Sequence, residues 1–221
     1  MLLPRTPRAV IFDMDGVIFD TEALYRNALQ SAARSLGHEM PVSLYLETIG
    51  LSGEATRRRL GDHFGPLIDF NRLWAQAAEL FRSMSDTELR LKPGVVELLD
   101  VLDELGMPRA IATSSRRESV QHHLMLHALQ ERFSIIVACG DYRSGKPDPD
   151  PFLMAAMRLG LAPELCLALE DSYNGVRSAA SAGMMTIMVP DLLEPTEDIR
   201  GLCTHVVPDL HAVGRLLRPE G

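Results

Sequence analysis

The segment IFDMDGVIFDTE, residues 11–22, places two carboxylates, Asp13 and Asp15, directly after a short apolar run. The run AVIF at 9–12 is typical of a strand buried on both faces of a parallel sheet. Two carboxylates this close together repel each other and disfavour their joint ionisation unless a positive charge compensates them. The segment therefore predicts a buried strand that ends in a charged site.

Five further apolar runs resemble this strand, and helical patterns separate most of them. The additional strands are predicted at 108–113, 134–138, 165–170, 184–189 and 205–207. Apolar residues at helical spacing predict helices at 95–105, 117–129, 150–160 and 173–183. The segment 189–198 is expected to be a surface loop. Alternating strands and helices predict an α/β fold with a Rossmann-like parallel sheet as its core.

The residues between the first strand and the rest of the sheet show no strand pattern. They are instead typical of amphipathic helices, which are predicted at 21–36, 43–49, 53–64 and 71–85. An all-helical stretch at this position predicts a subdomain inserted into the sheet domain. We place the α/β sheet domain at 1–19 and 90–221, and the inserted α-helical subdomain at 20–89.

Composition limits the classes of partner. The 221 residues are 46% hydrophobic and 24% charged, which is ordinary for a soluble globular protein. The net charge of −8 argues against a nucleic-acid partner. No apolar run reaches the ~18 residues of a membrane span, and the N-terminus lacks the apolar segment of a signal peptide. We therefore expect a cytoplasmic monomer without a membrane partner, in which Cys139, Cys166 and Cys203 are free buried thiols.

Candidate chemistry is concentrated after the predicted strands, where open α/β sheets bind their ligands. The polar residues at these positions are Asp13, Asp15, Thr113, Ser114, Ser115, Lys146, Glu170 and Asp171. Lysine is scarce in this chain, because Lys92 and Lys146 are the only two. One of the two lysines thus falls in the predicted site.

Four carboxylates at one sheet edge require compensating positive charge. Lys146 and a divalent cation would supply it, and a ligand set of oxygens without His or Cys indicates Mg²⁺. The hydroxyls at 113–115, at the start of a predicted helix, would hold phosphate oxygens together with backbone N–H groups. This combination predicts phosphoryl transfer.

Four motifs in this order resemble those of the haloacid dehalogenase superfamily. They are DMDGVIFDTE, Thr113, Lys146 in GKPDPDPF, and Glu170-Asp171 in LEDSYNGVRSAASAG. The inserted helices resemble the small helical cap of the subgroup that contains β-phosphoglucomutase and the sugar-phosphate phosphatases. The resemblance implies a phosphatase that hydrolyses a small phosphorylated metabolite, with a sugar phosphate expected, through an aspartyl-phosphate.

The resemblance also implies a role for each site residue. Asp13 would be the nucleophile, and Asp15 would protonate the leaving group and then take a proton from water. Thr113 and Lys146 would steady the transferring phosphoryl group. The Mg²⁺ ligands would be Asp13, the backbone carbonyl of Asp15, and Asp171, with Glu170 as a direct or an indirect partner.

Substrate contacts are expected on the inner face of the cap and at the core edge. The candidates are Glu22, Tyr25, the loop 50–54, Ser114, Ser115 and Arg116. The cap would open about hinges near 17–22 and 87–93. Arg57, Arg58 and Arg59 would offer a distal phosphate or carboxylate grip, but at least two of these consecutive helical residues should face solvent. His122, His123 and His127 are expected to be surface or packing residues.

Other chemistries of the superfamily fit this sequence less well. The dehalogenases lack the second Asp, and the phosphonate-cleaving enzymes use a cap lysine, whereas residues 21–89 contain no lysine. Compared with β-phosphoglucomutase, Tyr25 replaces a cap histidine and Gly53 stands where an arginine is expected. A phosphatase is therefore favoured over a hexose-phosphate mutase. A catalytically silent binding or regulatory protein is the non-enzyme alternative, but every motif residue is present.

Overall fold

A six-stranded parallel sheet forms the centre of the computed structural model, which describes residues 2–49, 53–65 and 68–218. The strands are β1 Ala9–Phe12, β2 Arg109–Arg116, β3 Ile135–Cys139, β4 Cys166–Glu170, β5 Met185–Met188 and β6 His205–Val206. Their order across the sheet is β3-β2-β1-β4-β5-β6, and every neighbouring pair is parallel. The prediction of an α/β fold with a Rossmann-like parallel sheet is confirmed.

Helices connect the strands and also form most of residues 21–90. They are α1 Thr21–Ser35, α2 Val42–Leu46, α3 Gly53–Phe64, α4 Phe70–Glu88, α5 Val95–Glu104, α6 Arg117–Leu126, α7 Asp150–Leu159, α8 Tyr173–Ser181, α9 Glu197–Leu202 and α10 Leu210–Leu217. β1, β4 and β5 are buried along their whole length, because helices such as α7 and α8 pack on the sheet. This burial explains why their sequences are continuous apolar runs.

The chain divides into two compact units. The first comprises residues 1–20 and 91–221 and contains the sheet, and the second comprises residues 21–90. In the second unit α1 packs against α4, and the apolar stripes of both helices are buried. Asp69 caps the N-terminus of α4 by accepting a hydrogen bond from the backbone N–H of Arg72 at 3.0 Å. The described residues of this unit contain helices and no strand.

The order in which the strands are added to the sheet changes direction between β1 and β4. The chain runs outward from β1 to β2 and β3, and then returns to β4, β5 and β6 on the other side. Ligands of such sheets bind at this switch point, beyond the carboxyl ends of the strands. Because Phe12 of β1 is paired with Leu169 of β4, the residues that follow them, Asp13 and Glu170, are brought side by side.

The edge strand β3 has its outward polar groups covered by side chains. The guanidinium groups of Arg117 and Arg158 donate hydrogen bonds to the carbonyl of Ile136, at 3.1 and 2.8 Å. Both guanidinium groups also pair with Asp141, whose carboxylate accepts the backbone N–H of Ala138 at 3.0 Å. A single ion-pair cluster thus occupies two backbone groups of this edge, the Ile136 carbonyl and the Ala138 N–H.

Two predictions about local structure hold only in part, and two helices were missed. The segment 189–198 is not simply a surface loop, because Val189 is buried, the Asp191 side chain is 7% exposed, and α9 begins at Glu197. Helices α9 and α10 were not anticipated at all. The thiol prediction fails at Cys139, which is exposed at the end of β3, whereas Cys166 is buried and Cys203 is half-buried.

Candidate active site

Asp13 is held at the carboxyl end of β1 by the neighbouring strand. Its backbone N–H donates to the carbonyl of Leu169 at 2.9 Å, which extends the β1–β4 pairing by one residue. The residue is only 6% exposed. A carboxylate that is buried to this extent requires partners of opposite charge or hydrogen-bond donors.

Lys146 provides that positive charge. Its ammonium group contacts the carboxylate of Asp13 and donates to Oε1 of Glu170 at 2.5 Å. The Lys146 side chain is 7% exposed, and its ammonium group also lies 5.0 Å from the ring centroid of Phe152 in α7. The lysine in the loop after β3 therefore joins the ends of β1 and β4.

Glu170 is fixed by donors on every side. It is fully buried, and its Oε2 accepts the backbone N–H groups of Asp171 and Ser172, at 3.0 and 3.1 Å, and the Ser172 hydroxyl at 3.1 Å. A Cβ atom at Gly175 would lie 1.7 Å from Oε1 of Glu170. The glycine in the first turn of α8 is therefore needed to make room for this carboxylate.

Asp171 lies directly against the turn that carries Asp15. A Cβ atom at Gly16 would lie 2.2 Å from Oδ2 of Asp171, and Gly16 has a φ of +83°. Three carboxylate oxygens lie within 4.8 Å of one another, one each from Asp13, Glu170 and Asp171. Three of the predicted metal-site carboxylates thus converge in space.

The converging charges shift the protonation equilibria of the site. Burial raises the pKa of Asp13 to about 8, the charges of Glu170 and Asp15 add to this rise, and Lys146 opposes it. Burial alone would lower the pKa of Lys146, but the charges of Asp13 and Glu170 raise it overall. Three carboxylates converge where Lys146 supplies one ammonium group, so a cation would find complementary charge here.

Asp15 has hydroxyl partners on β2. Its Oδ2 accepts the hydroxyl of Ser115 at 2.6 Å and faces the hydroxyl of Thr113 at 3.4 Å. Thr113 is fully buried, and its hydroxyl accepts the backbone N–H of Ser115 at 3.0 Å. These hydroxyls lie on β2, which continues to Arg116, so their expected position at a helix start is wrong.

Two residues that sequence reasoning missed support the loop carrying Lys146. The phenol of Tyr142 donates to the backbone carbonyl of Thr113 at 3.1 Å. The hydroxyl of Ser178, in α8, donates to the carbonyl of Asp148 at 2.6 Å. Tyr142 is the only aromatic residue in the loop 140–149, and this is a signal that could have been used. Ser178 carried no comparable signal.

The remaining candidates for substrate contact have varied environments. Ser114 and Arg116 are exposed at the end of β2. In the helical unit, Glu22 accepts the phenol of Tyr45 at 2.8 Å, and Tyr25 packs edge-on against another ring, with burial raising its pKa. Positions 50–52 of the predicted loop lie outside the described residues.

The three consecutive arginines of α3 have different partners. Arg58 pairs with Glu54 at 3.2 Å and Arg59 pairs with Glu47 at 2.5 Å. Arg57 instead lies over the rings of Phe70 and Trp74, at 5.3 and 5.0 Å from their centroids. Two of the three guanidinium groups are therefore neutralised within their own unit.

Comparison with known proteins shows which family the chain belongs to. Residues 10–189 match the family of haloacid dehalogenase-like hydrolases. The chain belongs to this family, and the predicted membership and hydrolase class are confirmed.

Individual relatives resemble the chain over most of their length. The phosphorylated carbohydrates phosphatase of Thermotoga maritima is 31% identical over 179 residues, which are 81% of this chain and 83% of the relative. Protein CbbY of Cereibacter sphaeroides is 30% identical over 205 residues, or 87% and 88% of the two chains. The crystal structure of CbbY from Rhodobacter sphaeroides in complex with phosphate has a TM-score of 0.76 at 26% identity, covering 95% of this chain and 97% of that one.

Within residues 2–49, 53–65 and 68–218, no helix combines the length and apolarity that crossing a membrane requires.

Proposed function

We propose that the protein is a Mg²⁺-dependent phosphatase that hydrolyses a small phosphorylated metabolite through an aspartyl-phosphate. A sugar phosphate is the expected substrate, because the phosphorylated carbohydrates phosphatase of Thermotoga maritima is among the relatives. The observation that carries the proposal is the contact of the Lys146 ammonium group with both Asp13 and Glu170. This lysine lies where it would neutralise charge on a phosphoryl group bound to Asp13.

The donor set fits Mg²⁺, a hard cation that takes oxygen ligands. Asp13, Asp171 and the backbone carbonyl of Asp15 would hold the ion, which when bound would supply positive charge to the phosphate oxygens. Glu170 already accepts four hydrogen bonds, about the full capacity of a carboxylate. We therefore assign Glu170 to orienting Lys146 and the Asp171 backbone rather than to direct ligation.

The reaction would proceed in two displacements at phosphorus. In the first, a carboxylate oxygen of Asp13 forms a bond to phosphorus while the bond to the ester oxygen breaks, and Asp15 gives its proton to that oxygen. In the second, water attacks phosphorus, Asp15 takes the proton from this water, and Asp13 is released as a carboxylate with inorganic phosphate. The hydrogen bond from Ser115 would orient Asp15 for both transfers.

Residues 21–90 would act as the cap that selects the substrate. Glu22, Tyr25, Ser114, Ser115 and Arg116 are the proposed substrate contacts, and the hinges are placed near 17–22 and 87–93. The unit boundary at 20/21 falls within the first of these hinge segments, and the boundary at 90/91 falls within the second. A cap of this kind would open for exchange and exclude water during the first displacement.

Turnover of p-nitrophenyl phosphate with Mg²⁺ tests the proposal directly. We expect phosphate release by the wild-type protein, loss of release after chelation by EDTA, and recovery on adding Mg²⁺. Asp13→Asn is the matched control, because it keeps the shape of the side chain and removes the nucleophile. Release that does not exceed this control would favour the catalytically silent alternative.

β-Glucose 1-phosphate separates a phosphatase from a hexose-phosphate mutase. We expect free phosphate, because Tyr25 replaces the cap histidine and packs against Phe81 with ring centroids 5.8 Å apart. Formation of glucose 6-phosphate in place of free phosphate would assign the mutase reaction instead. A screen of phosphorylated sugars would then identify the preferred leaving group.

A further inference from the structure

The phenol of Tyr142 links two segments that the proposed reaction needs, the end of β2 and the loop after β3. It donates to the backbone carbonyl of Thr113 at 3.1 Å. Tyr142 itself belongs to the loop after β3, four residues before Lys146. One side chain thus connects the end of β2 with the loop that carries the site lysine.

The acceptor of this hydrogen bond is part of the peptide group that leads into the site. The carbonyl of Thr113 and the N–H of Ser114 belong to one planar peptide and point in opposite directions when it is trans. A donor on the carbonyl therefore fixes the direction of the N–H and increases its polarity, since hydrogen bonds polarise one another. Backbone N–H groups are the donors that a phosphate oxygen requires.

Packing also holds the ring of the Tyr142 side chain in place. Its ring packs against the buried cluster that includes Phe152 of α7. Burial raises the pKa of Tyr142 above its ordinary value, so the phenol keeps its proton at neutral pH and remains a donor. On the far side of Lys146, the hydroxyl of Ser178 holds the carbonyl of Asp148 at 2.6 Å. The loop is therefore attached on both sides of the lysine.

We propose that Tyr142 is a positioning residue, which orients the Thr113–Ser114 peptide for phosphate and keeps it in register with Lys146. The proposal rests on the phosphatase function proposed above. It differs from a purely structural role, because the hydrogen bond of Tyr142 ends on the peptide that would face phosphate in the proposed reaction, whereas that of Ser178 ends on the carbonyl of Asp148. The two hydroxyls should therefore have different effects on phosphate.

Tyr142→Phe is the test, since it keeps the ring and removes only the hydroxyl. Tyr173→Phe is the matched control, because the Tyr173 phenol also donates to a backbone carbonyl, that of Glu194. Ser178→Ala tests simple loosening of the loop. We would measure kcat and KM for p-nitrophenyl phosphate, the binding of inorganic phosphate by titration calorimetry in the presence of Mg²⁺, and the melting temperature of each variant.

For Tyr142→Phe we expect phosphate affinity and kcat/KM to fall about fivefold, the effect of losing one ordinary hydrogen bond. Tyr173→Phe should bind phosphate like the wild type, and Ser178→Ala should lower the melting temperature more than the affinity. Phosphate affinity of Tyr142→Phe within twofold of the wild type, or a loss equal to that of Ser178→Ala, would overturn the proposal. A wild-type protein that binds phosphate without turnover would instead count against the proposed function, and the affinities would still test Tyr142.

Discussion

An ion-pair cluster in the sheet unit and an ion pair in the helical unit have opposite environments. In the sheet unit, Lys146 is 7% exposed and lies between two buried carboxylates. In the helical unit, the ion pair of Arg58 with Glu54 has side chains that are 71% and 87% exposed. A pair that water already surrounds contributes little to stability, whereas a buried charge without its partner costs several kcal/mol. Burial therefore marks the charges whose removal should matter.

The sheet unit also contains both lysines of the chain, and these provide an internal comparison. Lys92 is 18% exposed and pairs with Asp191 at 2.7 Å, while the other oxygen of Asp191 is buried without a hydrogen-bond partner among the described residues. Lys146 differs in having two carboxylate partners at the switch point of the sheet. We interpret Lys92 as a residue that stabilises the fold and Lys146 as a residue of the reaction.

The largest expected effect is that of Lys146→Met. Removing the ammonium group would take away part of the positive charge that stabilises the transferring phosphoryl group, so kcat for p-nitrophenyl phosphate should fall about 1000-fold. The matched control is Lys92→Met, which should keep kcat per folded molecule but lower the free energy of unfolding by about 3 kcal/mol. Steady-state kinetics and urea unfolding would measure the two effects. Equal losses of kcat in both variants would remove the distinction between the lysines.

Gly16→Ala should have the next largest effect. The new Cβ would lie 2.2 Å from the carboxylate of Asp171, and the alanine would have to adopt a φ of +83°. Displacing a site carboxylate by about 1 Å should lower kcat/KM about 100-fold and weaken Mg²⁺ binding. Activity titrated against Mg²⁺ concentration would measure both changes.

Gly160→Ala is the control for backbone strain at Gly16. Gly160 caps α7 with a φ of +70°, but a Cβ added there would have no described neighbour within 4 Å. This variant should lose about 1 kcal/mol of stability with kcat/KM unchanged. If it lost as much activity as Gly16→Ala, strain rather than contact with Asp171 would explain the effect.

Arg58→Ala should change little, because the pair with Glu54 is exposed on α3. We expect a melting temperature within about 2 °C of the wild type and unchanged KM for p-nitrophenyl phosphate. A thermal melt and one kinetic series are sufficient to check this. A large rise in KM would mean that this arginine contacts substrate, and the contrast between the two units would then be wrong.

The smallest expected effect is a difference in reactivity between two thiols. Cys139 lies at the exposed end of β3, whereas Cys166 is buried in β4. At pH 8 the thiol reagent DTNB should modify Cys139 rapidly, because this residue is exposed. Cys166 should react only after unfolding, since burial raises its pKa to about 11 and leaves little thiolate at that pH. The absorbance of released thionitrobenzoate would count the fast and slow thiols. Rapid modification of a Cys139→Ser, Cys203→Ser protein, whose one remaining thiol is Cys166, would contradict this order.

The sequence predicted the fold of the sheet unit well because β1, β4 and β5 are buried along their whole length. Such strands are continuous apolar runs, and β1 lies at the predicted residues 9–12. The order of polar residues after the strands also predicted that Asp13, Lys146 and Glu170 would meet. Helix α10 was missed because it follows a two-residue strand, β6, and its apolar stripe is only eight residues long.

Other features of the site could not be predicted because they depend on tertiary contacts. The link from Tyr142 to the Thr113 carbonyl joins residues that are far apart in the chain, and no local pattern encodes it. The same holds for the burial of Asp191, which depends on Lys92 approaching from another segment. The close approach of Glu170 to Gly175 also appears only once α8 is packed against the end of β4.

The covered edge of β3 has a consequence for behaviour at high concentration. An uncovered edge strand can template the addition of a strand from another molecule, which is a common first step of aggregation. Here the Ile136 carbonyl and the Ala138 N–H are already occupied by Arg158, Arg117 and Asp141. An incoming chain would have to break an ion-pair cluster before it gained its first backbone hydrogen bond. This side of the sheet therefore resists intermolecular β-pairing.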